Sequence, residues 1–352
     1  CCVSDEKERV VCNSPLGSFI FSFVFIKIML LVSLLAVTLP LSLLFWTVSV
    51  VSSWYSEDIA PPTPLRFFIS VFIPLLIATW GYRKKSLDVS GALSGLILGF
   101  VLTLSSYCFQ AVLLVFFVSS SKATKFRSSQ KRKFEADHKE GGQRNWVQVL
   151  CNGGIAAEFA LLYMLECGMG EKVVDPSRNW QCAMLSLAVL SAMAESCGDT
   201  WASELGSVWS SGDPFLITTL ERVPRGTNGG VSVAGTFFSG LGGALLGLVY
   251  YLSLVVCVGS TTLRTSPTQG ALVIVGALAG SLGSLIDSFL GATLQYSGLD
   301  TSSGRIVEEP GPGVKHISGV NLLDNHSVNL ISNLVTAMLV PWISVQVLSL
   351  FH

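Results

Sequence analysis

Carboxylates placed where an apolar stretch gives out are the first residues of this chain that could do chemistry. In Gly198-Asp199-Thr200-Trp201-Ala202-Ser203-Glu204-Leu205-Gly206, helical spacing puts Glu195, Asp199 and Ser203 on nearly one face, with Glu204 about 100 degrees round from Ser203. Acidic groups beside a membrane are costly, and the usual resolutions are a metal ion, a basic partner or a water-filled cavity. The plainer reading is a solvated helix end. A second acidic position, Asp287, has apolar neighbours on both sides and shares a four-residue stripe with Gly291 and Gln295. An ionisable group in that setting reads as a magnesium ligand or as part of an ion path.

Groups suited to anions lie nearby in the chain. Arg222-Val223-Pro224-Arg225-Gly226-Thr227-Asn228-Gly229-Gly230 runs straight into an apolar helix. Its glycines allow backbone N–H groups to converge, and Arg222 and Arg225 add charge suited to phosphate. A tight connecting turn is the alternative. Asn325, Asn329 and Asn333 form a polar stripe entering the last helix, which interhelical hydrogen bonding would also explain. Lys122 and Lys125 sit in a basic loop that could attract anionic lipid, and Arg144 stands at a helix entry in GGQRN, where phosphate contact is the rival.

Other chemistries find little support. The nine cysteines form no CxxC pair and read as small core residues, while the four histidines show no HExxH spacing. A cation here would be held by oxygen. No P-loop signature occurs, and nothing resembles a nucleic-acid-binding surface.

The elements that must position these residues are membrane helices. Half of the 352 residues are hydrophobic and only 13% are charged, too apolar for an ordinary soluble domain. Stretches long enough to cross a bilayer occur at 26–53, 66–82, 147–167, 181–200, 231–258, 270–294 and 328–350, which predicts an all-α polytopic transmembrane helix bundle of about seven spans. Residues 17–53 are too long for a signal-peptide core and read as an anchor. Residues 1–25 are expected to be a disordered tail, and 26–350 a single integral membrane domain.

Residues 91–120 are harder to place. Basic clusters flank them on both sides, Arg83 to Lys85 before and Lys122 to Lys133 after, so a single crossing would divide the clusters between two faces. A hairpin of two short helices broken at Ser105 and Ser106 keeps both on one side. The loops at 83–90, 119–146, 201–230 and 295–327 then share a face carrying about fifteen Lys and Arg, against about four opposite, and that face is expected to be cytosolic. Small residues at Gly91, Gly95 and Gly99, at Gly243 and Gly247, and at Gly276 and Gly280 are spaced to let helix backbones approach.

GDTWASELG, ERVPRGTNGGVS, IDSFLGATLQY and EGGQRNWVQVLCNGG together resemble the transmembrane protein 19 family, over about residues 54–340. That family is similar to plant and microbial membrane enzymes that phosphorylate phytyl phosphate and related isoprenyl monophosphates. The resemblance implies a magnesium-dependent phosphotransferase that uses a nucleoside triphosphate on an isoprenyl-phosphate lipid in the bilayer. Asp199, Glu204 and Asp287 would bind magnesium, and Arg222, Arg225, Asn228 and Gly229 would surround the nucleotide phosphates. Lys122, Lys125 and Arg144 would meet the acceptor's phosphate, with Asn325 and Asn329 as further polar contacts. An endoplasmic reticulum address follows from the same likeness, and homo-oligomerisation stays open. Two other classes compete: a transporter or lipid-translocating protein with Asp287 in its pathway, and a catalytically silent scaffold.

Overall fold

The computed structural model describes residues 38–40, 42–48, 50, 51, 63–126, 142–210 and 212–350. The expected span at 26–53 and the tail at 1–25 therefore fall largely outside the described residues. The chain divides into two units, Cys1–Phe72 and Ile73–His352. In the first, Phe45 stacks on Phe67 with ring centroids 6.3 Å apart. The second carries the bundle.

Eight long helices appear among the described residues: α1 Pro64–Arg83, α2 Val89–Ser105, α3 Tyr107–Lys125, α4 Trp146–Cys167, α5 Trp180–Trp201, α6 Val233–Cys257, α7 Leu272–Leu294 and α8 Asn325–Ser349. Seven helical segments are long and apolar enough to cross a membrane, all but α2. Six of them match expected spans, and α3 is the seventh. The protein is a polytopic all-α membrane bundle.

The break between α2 and α3 falls at Ser106, whose extended backbone (φ −159°, ψ 136°) ends one helix and whose side chain caps the next through Cys108 N. Both arms exceed the short helices expected, at 17 and 19 residues. At about 1.5 Å per residue they extend roughly 25 Å and 28 Å. The turn therefore reaches the far end of the bundle, where Gly170 N donates to Ser105 O and Tyr107 N donates to Glu171. At the near end Lys125 Nζ donates to Lys84 O at 2.8 Å and to Ser86 Oγ at 2.9 Å, so both basic loops share one face, as the charge pattern requires.

Polar caps fix the helix starts at that same face. Asp88 caps α2 and Ser232 caps α6, each accepting from the backbone three residues on, while Asn145 and Gln148 form a reciprocal capping box on α4. Asp324 caps α8 through Ser327 N.

Helix α5 is the axis of the bundle, packed against α4, α6, α7 and α8, with a run from Ser186 to Gly198 wholly buried. Glycines set the spacing, because lipid gives apolar side chains no net reason to associate and close van der Waals contact must do so. A Cβ on Gly243 would lie 2.1 Å from Gly276 O, and one on Gly198 would lie 2.7 Å from Gly280 Cα. Gly91 and Gly99 are equally tight, against Arg144 O and Pro74, but Gly95 has open space beside it. The small-residue stripes thus pack helices at every position except Gly95.

Two features depart from the sequence reading. Cys167 and Cys182 form a disulfide joining the end of α4 to the start of α5, instead of lying as isolated core residues. Their fifteen-residue separation spans a loop that folds back on itself. Five short strands also lie in the connections: β1 Phe215–Leu216 pairs antiparallel with β2 Gly230–Val231, and β3 Ser297–Asp300 pairs with β4 Ile306–Val307 and β5 Val314–Ser318. They fold the loops 201–230 and 295–327 over the near end of α5 to α8.

Candidate functional site

At that face a polar cavity of about 670 Å³ opens between α4, α5, α6, α7 and α8. Its floor is acidic. Asp199 comes from the end of α5 and Asp287 from the last third of α7, and both line the cavity. Ser284, one turn before Asp287, donates to Asp199 Oδ1 at 3.3 Å. Beneath them Glu195 is 2% exposed, with Ser332 Oγ 2.9 Å from its Oε1 and Asn333 Nδ2 2.8 Å from its Oε2.

Ser332 joins the two levels, for its hydroxyl also lies 3.1 Å from Asp287 Oδ2. A serine has one hydrogen to give, so Ser332 donates to only one of Glu195, Asp287 and Asn329 O at a time. We place Asn329 Nδ2 toward Asp287 Oδ2 at 3.3 Å and Asn325 O at 2.8 Å, the orientation in which both ends of the amide find partners. Among the described residues no basic side chain pairs with Glu195, Asp199 or Asp287. Glycine again makes the room: a Cβ on Gly283 would meet Glu195 Cγ at 2.2 Å.

Glu204 occupies a π-helical turn, Ala202–Gly206, that continues α5. Such turns re-aim side chains within an otherwise regular helix. Glu204 lines the cavity and acts on Arg144: burial draws the Arg144 guanidinium's pKa down, and the Glu204 carboxylate opposes that shift. Among the described residues no three His, Cys, Asp or Glu side chains converge closely enough to hold a metal between them. Asp199, Glu204 and Asp287 thus line one cavity without forming a three-carboxylate cluster.

The basic residues separate into two groups. Arg144 lines the cavity, donates from Nη1 to Ser121 Oγ at 3.1 Å, and is held by its own backbone, with Arg144 N donating to Ser86 O and Asp88 N donating to Arg144 O. Arg225 also lines the cavity, with Nη2 donating to Ser210 O at 2.9 Å. Arg222 does not: its guanidinium lies 5.2 Å over the Phe215 ring at the surface. Lys122 is exposed and outside the lining, and Lys125 is committed to the loop between α1 and α2.

The Gly-rich loop is chiefly a clamp. Asn228 N donates to Ser297 Oγ and Nδ2 to Tyr296 O, while Gly229, at φ +80°, lies so close to α7 that a Cβ would stand 2.4 Å from that of Ala292. Thr227 and Gly230 spend their N–H groups inside the loop. Asn228 and Gly229 still line the cavity, as do Asn325 and Asn329. Helix starts supply what the loop amides do not, because the first turns of α4, α6 and α8 reach the cavity at Gln148, Ser232 and Asn325. The partial positive charges of the α4 and α6 starts favour an anion, while the start of α8 already carries the Asp324 carboxylate.

Sequence reasoning did not single out Glu195, Ser284 and Ser332 as site residues. The signal for Glu195 was its four-residue spacing from Asp199, and for Ser332 its place beside the asparagine stripe.

Helices of membrane-spanning length around a polar cavity at one face define a multi-pass integral membrane protein. The chain belongs to the family described as Integral membrane protein DUF92, whose pattern matches residues 72–337. It is 41% identical to Protein PGR of Arabidopsis thaliana over 285 residues, 80% of this chain and 97% of that one. Identity to the uncharacterized membrane protein MJ0933 of Methanocaldococcus jannaschii is 29%, covering 67% of this chain and 87% of that one. Protein VTE6, chloroplastic, of Arabidopsis thaliana is 29% identical over 59% of this chain and 56% of its own length. No solved structure matches.

Proposed function

We propose that the cavity is a phosphotransfer site that moves the γ-phosphoryl group of a nucleoside triphosphate onto an isoprenyl monophosphate, giving the diphosphate. The observation that carries this reading is that Asp199 and Asp287, from different helices and with no basic partner among the described residues, line one cavity that Arg144, Arg225 and three helix starts also line. Magnesium commonly takes one or two carboxylates and completes its octahedron with phosphate oxygens and water, so two carboxylates suffice. The acceptor's phosphate oxygen attacks Pγ, the bond from Pγ to the bridging oxygen breaks, and the nucleoside diphosphate leaves with that electron pair. Such a transfer needs positioning and charge stabilisation, and the acceptor oxygen needs no strong base. The motif resemblance to the transmembrane protein 19 family supports this reaction class.

Sidedness supports it too. The Cys167–Cys182 disulfide lies at the end of the bundle opposite the cavity, and disulfides persist in oxidising compartments. With that end lumenal, the cavity and the basic loops are cytosolic, where nucleotide and magnesium are abundant, and an endoplasmic reticulum membrane fits. A transporter reading places its polar groups along a path near mid-membrane. Here the carboxylates gather toward one end.

The test is direct. Purified full-length protein in lipid nanodiscs, given magnesium and each common nucleoside triphosphate, should convert farnesyl, geranylgeranyl or phytyl phosphate to the diphosphate, and Asp199→Asn should abolish this while remaining folded. Flux of a prenyl phosphate across proteoliposomes without nucleotide consumption would overturn it.

A further inference from the structure

A second cavity lies beside the first and has the opposite character. It is a slot between α1, α2, α3 and α4, walled by Ile77, Leu98, Leu113 and Phe117 among others, and its exposed surface is almost wholly apolar. Arg144 and Gln148 line both cavities, so the slot and the polar site meet at these two residues. From that junction the slot runs into the depth of the membrane, for Gly99 lines it and lies about 15 Å along α2 from Val89. Helix α2 turns Leu93 and Ile97 outward to the lipid and Gly95, Leu98 and Gly99 inward to the slot.

The slot is narrow. Its free volume of about 70 Å³ admits a segment of one hydrocarbon chain and not two acyl chains side by side. Gly95 is its one loosely packed glycine: an added Cβ would meet only Leu87 Cδ1, at 3.9 Å, whereas Gly99 and Gly153 are already in contact with Pro74 and Leu98. A side chain at 95 would therefore grow into open slot.

We propose that this slot binds the headgroup-proximal part of a single-chain lipid phosphate, with Arg144 holding the phosphate at the edge of the polar cavity. This deepens the phosphotransfer reading and rests on it for the direction in which the phosphate faces. Charge and polarity match along the whole ligand: hydrocarbon against the slot wall, phosphate against the guanidinium, and the attacking oxygen turned toward the carboxylates. A two-chain lipid meets the same headgroup chemistry but not the same slot. Gly95 then sets the chain's girth and branching, which makes it a specificity-determining position remote from the reacting atoms.

The experiment reads binding separately from turnover. Full-length protein in nanodiscs is photolabelled with a geranylgeranyl phosphate analogue carrying a diazirine on its second isoprene unit, and labelled peptides are mapped. Labelling is expected in the segments of α2, α3 and α4 that line the slot, displaced by geranylgeranyl phosphate at least tenfold better than by geranylgeraniol or by phosphatidic acid. Gly95→Phe should lower slot labelling at least tenfold, Gly95→Ala should retain it, and Arg144→Gln should erase the advantage of the phosphate over the alcohol. Label scattered over lipid-facing residues, undiminished labelling in a folded Gly95→Phe protein, or equal displacement by phosphatidic acid would each overturn the slot assignment. Slot labelling without phosphoryl transfer would retain the slot and remove the kinase reading. Transfer with labelling elsewhere would do the reverse.

Discussion

A Cβ placed on Gly283 would stand 2.2 Å from Cγ of Glu195. The backbone of α7 thus passes directly over a buried acidic side chain of α5, and the carboxyl layer exists only because that position lacks a side chain. Gly283→Ala should lower the melting temperature, at a cost of about 1–3 kcal/mol from overpacking, and should reduce turnover by displacing Glu195. Gly95→Ala, where space is open, should leave the melting temperature nearly unchanged. Thermal unfolding of the two variants in one detergent checks the contrast.

Asp199 and Asp287 share the cavity floor, whereas Glu204 sits on the π-helical turn and acts on Arg144. Asp199→Asn and Asp287→Asn should each reduce turnover at least a hundredfold and raise the magnesium concentration needed for half-maximal rate. Glu204→Gln should do less to the magnesium requirement and more to the KM of the acceptor, because it removes the charge opposite Arg144. Magnesium titrations at saturating nucleotide separate the two behaviours.

Much of this was legible in the sequence. The break at Ser106 followed from counting basic residues on either side of an apolar stretch, since the charge rule leaves an even number of crossings between two clusters on one face. The cavity's acidic floor followed from carboxylates at spacing four and from an isolated aspartate. What sequence could not give was side-chain direction. Lys125 and Arg222 carry the same sign of charge as Arg144 and Arg225, yet one is spent on a neighbouring loop and the other on a ring. Glu195 stayed in the background because it lies within an otherwise apolar stretch, where its partners Ser332 and Asn333 are more than 130 residues away in the chain. The Cys167–Cys182 pair was hidden because nothing in its spacing differs from that of two core cysteines.

Lys125 and Arg144 therefore offer a test of role by direction. Lys125→Ala removes two hydrogen bonds that tie α3 to the loop before α2, and should cost stability of about 1–2 kcal/mol while leaving the KM of the acceptor within twofold. Arg144→Gln should raise that KM at least tenfold with a smaller change in kcat. Steady-state kinetics alongside thermal unfolding distinguishes the tie from the binding group.

The cap of α8 brings a pH dependence of its own. The Ser327 side chain, followed by its backbone N–H, holds the Asp324 carboxyl below the usual carboxylate range. A group whose pKa is depressed by folding contributes its full stability above the unfolded value, roughly 3.9, and loses it as pH falls through the lower folded value. Stability should decline below about pH 4 through this group. Asp324→Ala should remove that share and cost at most about 1 kcal/mol near neutral pH, because the site is exposed and screened. Melting temperatures from pH 3 to 7 for both proteins check it.

Orientation has a chemical test. In sealed microsomes a membrane-impermeant maleimide should reach a cysteine introduced at the exposed Gln143 and should leave Cys167 and Cys182 unlabelled until reductant and detergent are added together. Labelling of Cys167 from the cytosolic side after reduction alone would reverse the assignment of faces.

The most direct measurement is a double-mutant cycle on Asp199 and Asp287, read as magnesium-dependent formation of prenyl diphosphate. If the two carboxylates hold one cation against the phosphates, Asp199→Asn, Asp287→Asn and the double variant should all lose activity to about the same extent, a strongly non-additive pattern. Losses that simply multiply, or wild-type turnover in either folded single variant, would contradict a shared cation and with it the site described here.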